Sequence, residues 1–206
     1  LGLREIGIRL TPIQASRAYE FVEDNAELLK EIKVGRSYLH IYFNPQENLY
    51  RTTITEKLGI FYKCNSSTWF YAREEDKVRT LGGTTLQIED NNVATLYIES
   101  TDQRVSEIAV INSEGDYIAR QPVGIEEPCI LQYTYPSDYI TSDYEILALN
   151  DKLDVIYYYH GLIDDQTLND EYKWHAAKYD KLDSNFNAKI KSGNLVTNYN
   201  IDTVLN

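Results

Sequence analysis

The sequence predicts an α+β protein: an antiparallel β-sandwich or barrel-like body with one N-terminal helix and a C-terminal antiparallel helical hairpin. Three observations predict it. A capped run with helical spacing opens the chain, a long series of short β-rich segments broken by turn residues follows, and two capped runs with an alternating three–four spacing close it. A length of 206 residues suits a single domain over 1–206, divided into a helix at 11–35, a β-rich body at 36–136, a hairpin at 142–193 and an arm at 194–206.

The N-terminal helix is read from "LTPIQASRAYEFVEDNAELLKEIKVG". Thr11 stands as N-cap, Pro12 at the first helical position and Gln14 as the reciprocal capping partner. Phe21, Leu28 and Ile32 then recur at helical spacing, and Gly35 offers a left-handed stop.

From Arg36 the period changes. Segments such as "SYLHIYF", "NLYRTTIT", "TTLQIE" and "SEIAVIN" are short and rich in β-branched and aromatic residues. "NPQEN", "LGGT", "EDNN" and "NSEGD" separate them as expected turns, so antiparallel hairpins follow. In "YLHIYF", Leu39, Ile41 and Phe43 fall on one face and Tyr38, His40 and Tyr42 on the other. With 18 tyrosines in the chain, such a face suits either subunit contacts or a tyrosine-rich solvent surface.

The closing hairpin rests on Ser142 and Glu145 as a capping box, followed by Ile146, Leu149, Leu153, Ile156, His160 and Ile163. Thr167 caps the second run, in which Leu168, Tyr172, His175, Tyr179, Leu182, Phe186 and Ile190 repeat the spacing up to Gly193. The short link between them makes the two helices antiparallel neighbours. The tail "NLVTNYNIDTVLN" reads as a late strand, an arm reaching a neighbour, or a loose end.

Composition narrows the function. A net charge of −12 and a pI near 4.7 argue against a nucleic-acid-wrapping surface, which needs clustered Lys and Arg. No apolar run approaches the roughly eighteen residues of a membrane-spanning helix, so no membrane partner is expected. A chain that opens on Leu1 and contains no methionine is expected to have lost its natural start, and a cleaved signal or propeptide would make it extracellular or virion-borne. Cys64 and Cys129 are too few for a disulfide framework and read as two buried small apolar residues, with one bridge open as the alternative.

Candidate chemistry is sparse. His160 with Asp164, and Glu171 with His175, are i, i+4 pairs flanking the hairpin turn and would aim two imidazoles and two carboxylates at one metal. Both histidines also hold seam positions, where a hydrogen-bonded, half-buried His is the ordinary explanation, and the Glu-x-x-His signature is missing. "LGGTT" lacks the Lys and spacing of a phosphate cradle, and no nucleophile elbow occurs. No catalytic, cofactor-binding or metal residue is therefore assigned, and no cofactor is expected. "NSS" at Asn65–Ser67 fits a glycosylation pattern of low specificity, and "YAREEDKVR" reads as a charged loop that is either solvated or aimed at a partner.

The order of parts, with "VSEIAVINSEGDYIARQP" before "CILQYTYP" and a close on "YDKLDSNFNAKI", resembles the head-to-tail adaptor or connector ring proteins of short-tailed bacteriophages. The chain departs from that pattern in showing one N-terminal helix where such proteins often have two or more. The resemblance implies a non-enzymatic structural virion protein assembled in the host cytoplasm. It implies a homo-oligomeric ring that docks on the portal, contacts other tail or connector proteins and lets DNA pass without binding it. An acidic bore would repel phosphate. A second class stands beside it: a secreted β-sandwich module that binds carbohydrate or protein, with Trp69, Tyr71 and Tyr97 as exposed rings.

Overall fold

The computed structural model describes residues 7–72, 75–137, 144–160, 173–177, 188 and 190–195. They form an almost wholly β protein, 63% strand and 6% helix, in three antiparallel sheets. This overturns the expected α+β class, and both of its helical elements fail for identifiable reasons.

The first is the N-terminal helix. It begins as expected, with the Thr11 Oγ1 accepting a hydrogen bond from the Gln14 amide at 3.3 Å, but α1 covers only Pro12–Arg17. The helix-spaced Phe21 and Leu28 lie 50% and 37% exposed, so no apolar stripe continues the helix. Val22 and Ala26 bury instead against Tyr42. The next apolar residues, Ile32 and Val34, are buried two positions apart, the spacing of a strand. They belong to β2 (Glu27–Val34), and Gly35, at φ 56°, opens the two-residue turn into β3 (Ser37–Asn44) rather than capping a helix.

The second is the C-terminal hairpin. Where its first helix was expected, β11 (Tyr144–Leu149) and β12 (Val155–His160) pair antiparallel, and β13 (Lys173–Ala176) adds to β12. No helical hairpin exists among the described residues. The sheet that holds these strands is apolar on both faces, so Ile146–Leu149 read as a continuous hydrophobic run, which single-sequence periodicity does not separate from a buried helix. Helical backbone does occur at Ala188, Ile190, Lys191 and Ser192, and Ile190 is fully buried. Of the expected arm, 196–206 lie outside the described residues. Its first residues are tied down, with the Asn194 carbonyl accepting from the Tyr117 amide at 2.9 Å.

The chain divides into two compact units. The first holds residues 7–72 and Leu81–Thr84. Its sheet runs β1-β5-β4-β3-β2, with β1 at Ile8–Arg9, β4 at Leu49–Leu58 and β5 at Phe61–Tyr71. One face carries the cross-strand pairs Leu39–Ile54 and Ile41–Thr52, all buried. Across it passes the middle of β6 (Val78–Ile88) at Gly82 and Gly83. The Gly83 amide donates to Thr52 Oγ1 at 2.9 Å, and Thr68 Oγ1 donates to the Gly83 carbonyl at 2.6 Å. "LGGT" is thus not a turn. Its glycines let one backbone lie directly on a sheet, because a Cβ at Gly82 would stand 2.6 Å from Thr52 Oγ1 and 2.7 Å from Ile41 Cγ2.

The opposite face of that sheet, the tyrosine face of β3, is covered by the chain's own helix. Ser16 Oγ lies 2.7 Å from the Tyr42 hydroxyl and 2.6 Å from Thr53 Oγ1, and the Arg17 guanidinium sits 4.6 Å above the Tyr42 ring. Tyr42 and His40 are consequently 1% and 0% exposed, as interior residues rather than contact residues.

The second unit packs two sheets on one core. A three-stranded sheet, β10-β7-β6, contains β7 (Asn91–Ser100) and β10 (Cys129–Pro136). A five-stranded sheet, β13-β12-β11-β8-β9, contains β8 (Glu107–Asn112) and β9 (Tyr117–Pro122). Ile98 and Leu131 from the first meet Ile108, Val110, Ala148 and Trp174 from the second, with the Trp174 indole donating to Thr80 Oγ1 at 3.1 Å. The outer face of the larger sheet has its own cluster, in which Leu147, Leu149 and Tyr117 pack on Ile190.

Candidate functional site

Among the described residues, most exposed apolar bulk lies in the first unit. Leu10, Phe21, Leu28, Leu58, Ile60, Trp69 and Tyr71 belong to it, while the second unit contributes Ile125 and Leu195. Single exposed apolar residues need no explanation, but rings gathered together do.

Three of these residues gather on the helix-bearing face, near the start of β4 and the end of β5. Trp69 and Tyr71 are two apart on β5, so both project to one side, and their rings meet edge to face at 4.9 Å and 72°. Arg51 is the cross-strand partner of Trp69. Its guanidinium lies 5.7 Å from the Phe21 ring and 3.6 Å from the Glu47 carboxylate, and it donates to Ser67 Oγ at 3.4 Å. Tyr19 extends the row, edge to face with Phe21 at 5.5 Å. Phe21, Trp69 and Tyr71 are 50%, 46% and 54% exposed, whereas the Arg51 side chain is only 13% exposed. Asn44 Nδ2 donates to the same Glu47 Oε2 at 3.2 Å. The result is a fixed, charge-neutral Arg–Glu pair flanked by aromatic rings.

Of the three rings expected as a binding face, the structure brings Trp69 and Tyr71 together and buries Tyr97, which is 9% exposed, in the second unit. Phe21 does not stand out in the sequence, because "EFVED" reads as helix interior, and Arg51 joins it only in the folded sheet. The alternation in "NLYRTT", which sets Arg51 opposite its apolar neighbours, was the available signal.

Of the residues considered for a metal, His160 and His175 lie on strands rather than helices. His160 ends β12 opposite Lys173, and the His175 ring stacks on Tyr158 at 5.3 Å and 17°. Asp164 and Glu171 lie outside the described residues, among which no cluster of three metal-binding side chains occurs. Asn65–Ser67 lies within β5 rather than in a turn. Cys64 and Cys129 are free and buried, one in each unit, and burial pushes both thiols up, Cys129 to about 11. Of "YAREEDKVR", Tyr71 closes β5 and Val78 opens β6, and 73–74 lie outside the described residues.

A tightly held carboxylate lies in the second unit. The Asp102 carboxylate accepts from Arg104 Nη2 at 2.6 Å and from the Tyr157 hydroxyl at 2.7 Å. The guanidinium holds the Asp102 carboxyl well below the usual carboxylate range. Burial, followed by the neighbouring carboxylate, raises the Tyr157 phenol. An acid so stabilised in its charged form is a poor proton acceptor, and the trio ties the segment after β7 to β12. Beside it opens a cavity of about 200 Å³ lined by Arg104, Asn150, Val155, Ile156 and Ala177. Asn150 spends its side chain on its own turn, bonding the Lys152 and Asp154 amides and the Asp154 carboxylate, so the cavity gathers no set of uncommitted polar groups.

No protein-family model matches the sequence, and neither a curated protein nor a solved structure shows significant similarity to it.

Proposed function

We propose that this chain is a non-catalytic binding module that engages its target through the first unit, at the Phe21–Arg51–Trp69–Tyr71 surface. The observation that carries the reading is the gathering of three half-exposed rings beside an Arg–Glu ion pair, while the Asp102–Arg104–Tyr157 cluster of the second unit is consumed by its own hydrogen bonds. Aromatic residues and arginine are the types that dominate recognition surfaces. The adaptor-ring expectation drew on a helical hairpin that the structure replaces with strands, so this reading rests on the surface itself.

Replacing Phe21, Trp69 and Tyr71 together by Ser tests it. Rings kept for contact hold little of the fold, so the triple variant stays cooperative with a melting temperature within about 5 °C of the parent. A fall of more than about 10 °C shows that the rings serve packing and overturns the reading.

A further inference from the structure

The geometry points to a neutral glycan as the ligand of this aromatic surface, an assignment that rests on the binding-module reading above. Area decides against a protein partner first. Rings of these types carry roughly 150–250 Å² each, so three that are 50%, 46% and 54% exposed offer about 300 Å². A stable protein interface takes about 800 Å² from each side. The patch is therefore the size of a small ligand.

Chemistry then selects among small ligands. A pyranose ring has a flat face of C–H bonds and a rim of hydroxyls, each both donor and acceptor. Trp69 and Tyr71, at 72° to one another, offer two differently tilted apolar planes. Arg51, the cross-strand partner of Trp69, and the Glu47 carboxylate 3.6 Å from its guanidinium set donors and acceptors side by side on the same face of the sheet. Each partner is already oriented, Glu47 by Asn44 and Arg51 by Ser67 and the Phe21 ring, so little ordering is lost on binding. The pair carries no net charge and the whole chain carries −12, which disfavours uronic or sulfated sugars. The same charge disfavours single-stranded nucleic acid, whose bases also stack on aromatic rings but whose phosphates need a basic groove.

The test uses the two tryptophans as reporters. Trp69 is 46% exposed and Trp174 is 7% exposed, so acrylamide quenching of the native protein reads Trp69. The intact chain is run through native gels containing soluble β-glucan, galactomannan or dextran, and quenching is measured with and without each polymer. At least one polymer is expected to retard the protein and shield Trp69. Trp69→Ala and Tyr71→Ala should each weaken retardation tenfold or more with unchanged circular dichroism, while Trp69→Phe, which keeps a ring, retains most of it. No retardation by any of the three polymers, or full retardation of Trp69→Ala, overturns the glycan assignment. Shielding of Trp69 that grows with protein concentration alone overturns it too, but leaves a binding surface, now for a second copy. Equal quenching under every condition sinks both readings.

Discussion

Substituting Gly82 with Ala examines how β6 lies on the first sheet. The added Cβ would stand 2.6 Å from Thr52 Oγ1, 2.7 Å from Ile41 Cγ2 and 3.0 Å from Ile41 Cγ1, all below normal contact. Neither neighbour is the free end of a flexible side chain, because Thr52 and Ile41 are β-branched and fully buried. Overpacking of this kind costs about 1–3 kcal/mol. Moving the strand outward also stretches the Gly83 to Thr52 and Thr68 to Gly83 hydrogen bonds, worth about 1 kcal/mol each. The expected loss is about 2–4 kcal/mol, or roughly 5–15 °C in melting temperature for a chain of this size. Urea unfolding followed by circular dichroism reads it. A double-mutant cycle sharpens the result: an Ile41→Ala background removes two of the three close contacts and leaves only that with Thr52 Oγ1, so Gly82→Ala should then cost about 1 kcal/mol less. A single-variant loss under about 0.5 kcal/mol, or strict additivity in the cycle, refutes the close approach of backbone to sheet.

Three further outcomes follow from the same structure. Glu89, exposed in the turn between β6 and β7 at φ 55°, occupies a backbone region that favours glycine, so Glu89→Gly should raise stability by about 0.5–1 kcal/mol in the same unfolding assay. Tyr157→Phe removes a hydroxyl that donates to an ionised, largely buried carboxylate, and should cost about 2 kcal/mol at neutral pH. His40 is fully buried with Nε2 2.8 Å from Glu31 and Nδ1 without a hydrogen bond, and burial lowers its pKa despite the opposing pull of Glu31, with Arg17 adding to the lowering. The folded state therefore takes up a proton less readily than the unfolded chain. The stability that neutral His40 contributes is complete above the ordinary value of about 6.5 and is lost as pH falls below it, so His40→Gln should flatten the pH dependence of unfolding on the acid side of about pH 6.5.

The strands of the body were legible because each is short, β-branched and closed by a turn residue. The turn in "NSEGD" shows the mechanism: Asn112 Oδ1 accepts from the Glu114 and Asp116 amides at 3.0 and 2.9 Å, and Gly115 takes φ 87°. The same device recurs thirty-eight residues later in "NDKLD", where it is masked. There Asn150 Oδ1 accepts from Lys152 and Asp154 at 2.9 and 2.8 Å, but Leu153, at φ 61°, stands where Gly115 stood. An apolar residue in a glycine position completed a false helical stripe through Ile146, Leu149 and Ile156. The shared Asn-x-x-x-Asp spacing was the signal that separates the two readings. Of the candidate surface, Trp69 and Tyr71 were legible from their alternation on one strand, whereas Phe21 reaches them only through Arg51 and tertiary folding.

The discontinuity of the first unit bears on how it is made. A ribosome that has delivered the chain up to Ala72 has not yet delivered Leu81–Thr84, the piece that closes one face of the sheet. Until those glycines emerge, Ile41 meets solvent and the hydroxyls of Thr52 and Thr68 lack their partners in Gly83. A fragment cut after Ala72 should thus aggregate, and one extended past Thr84 is the shortest that carries every described strand segment of this unit.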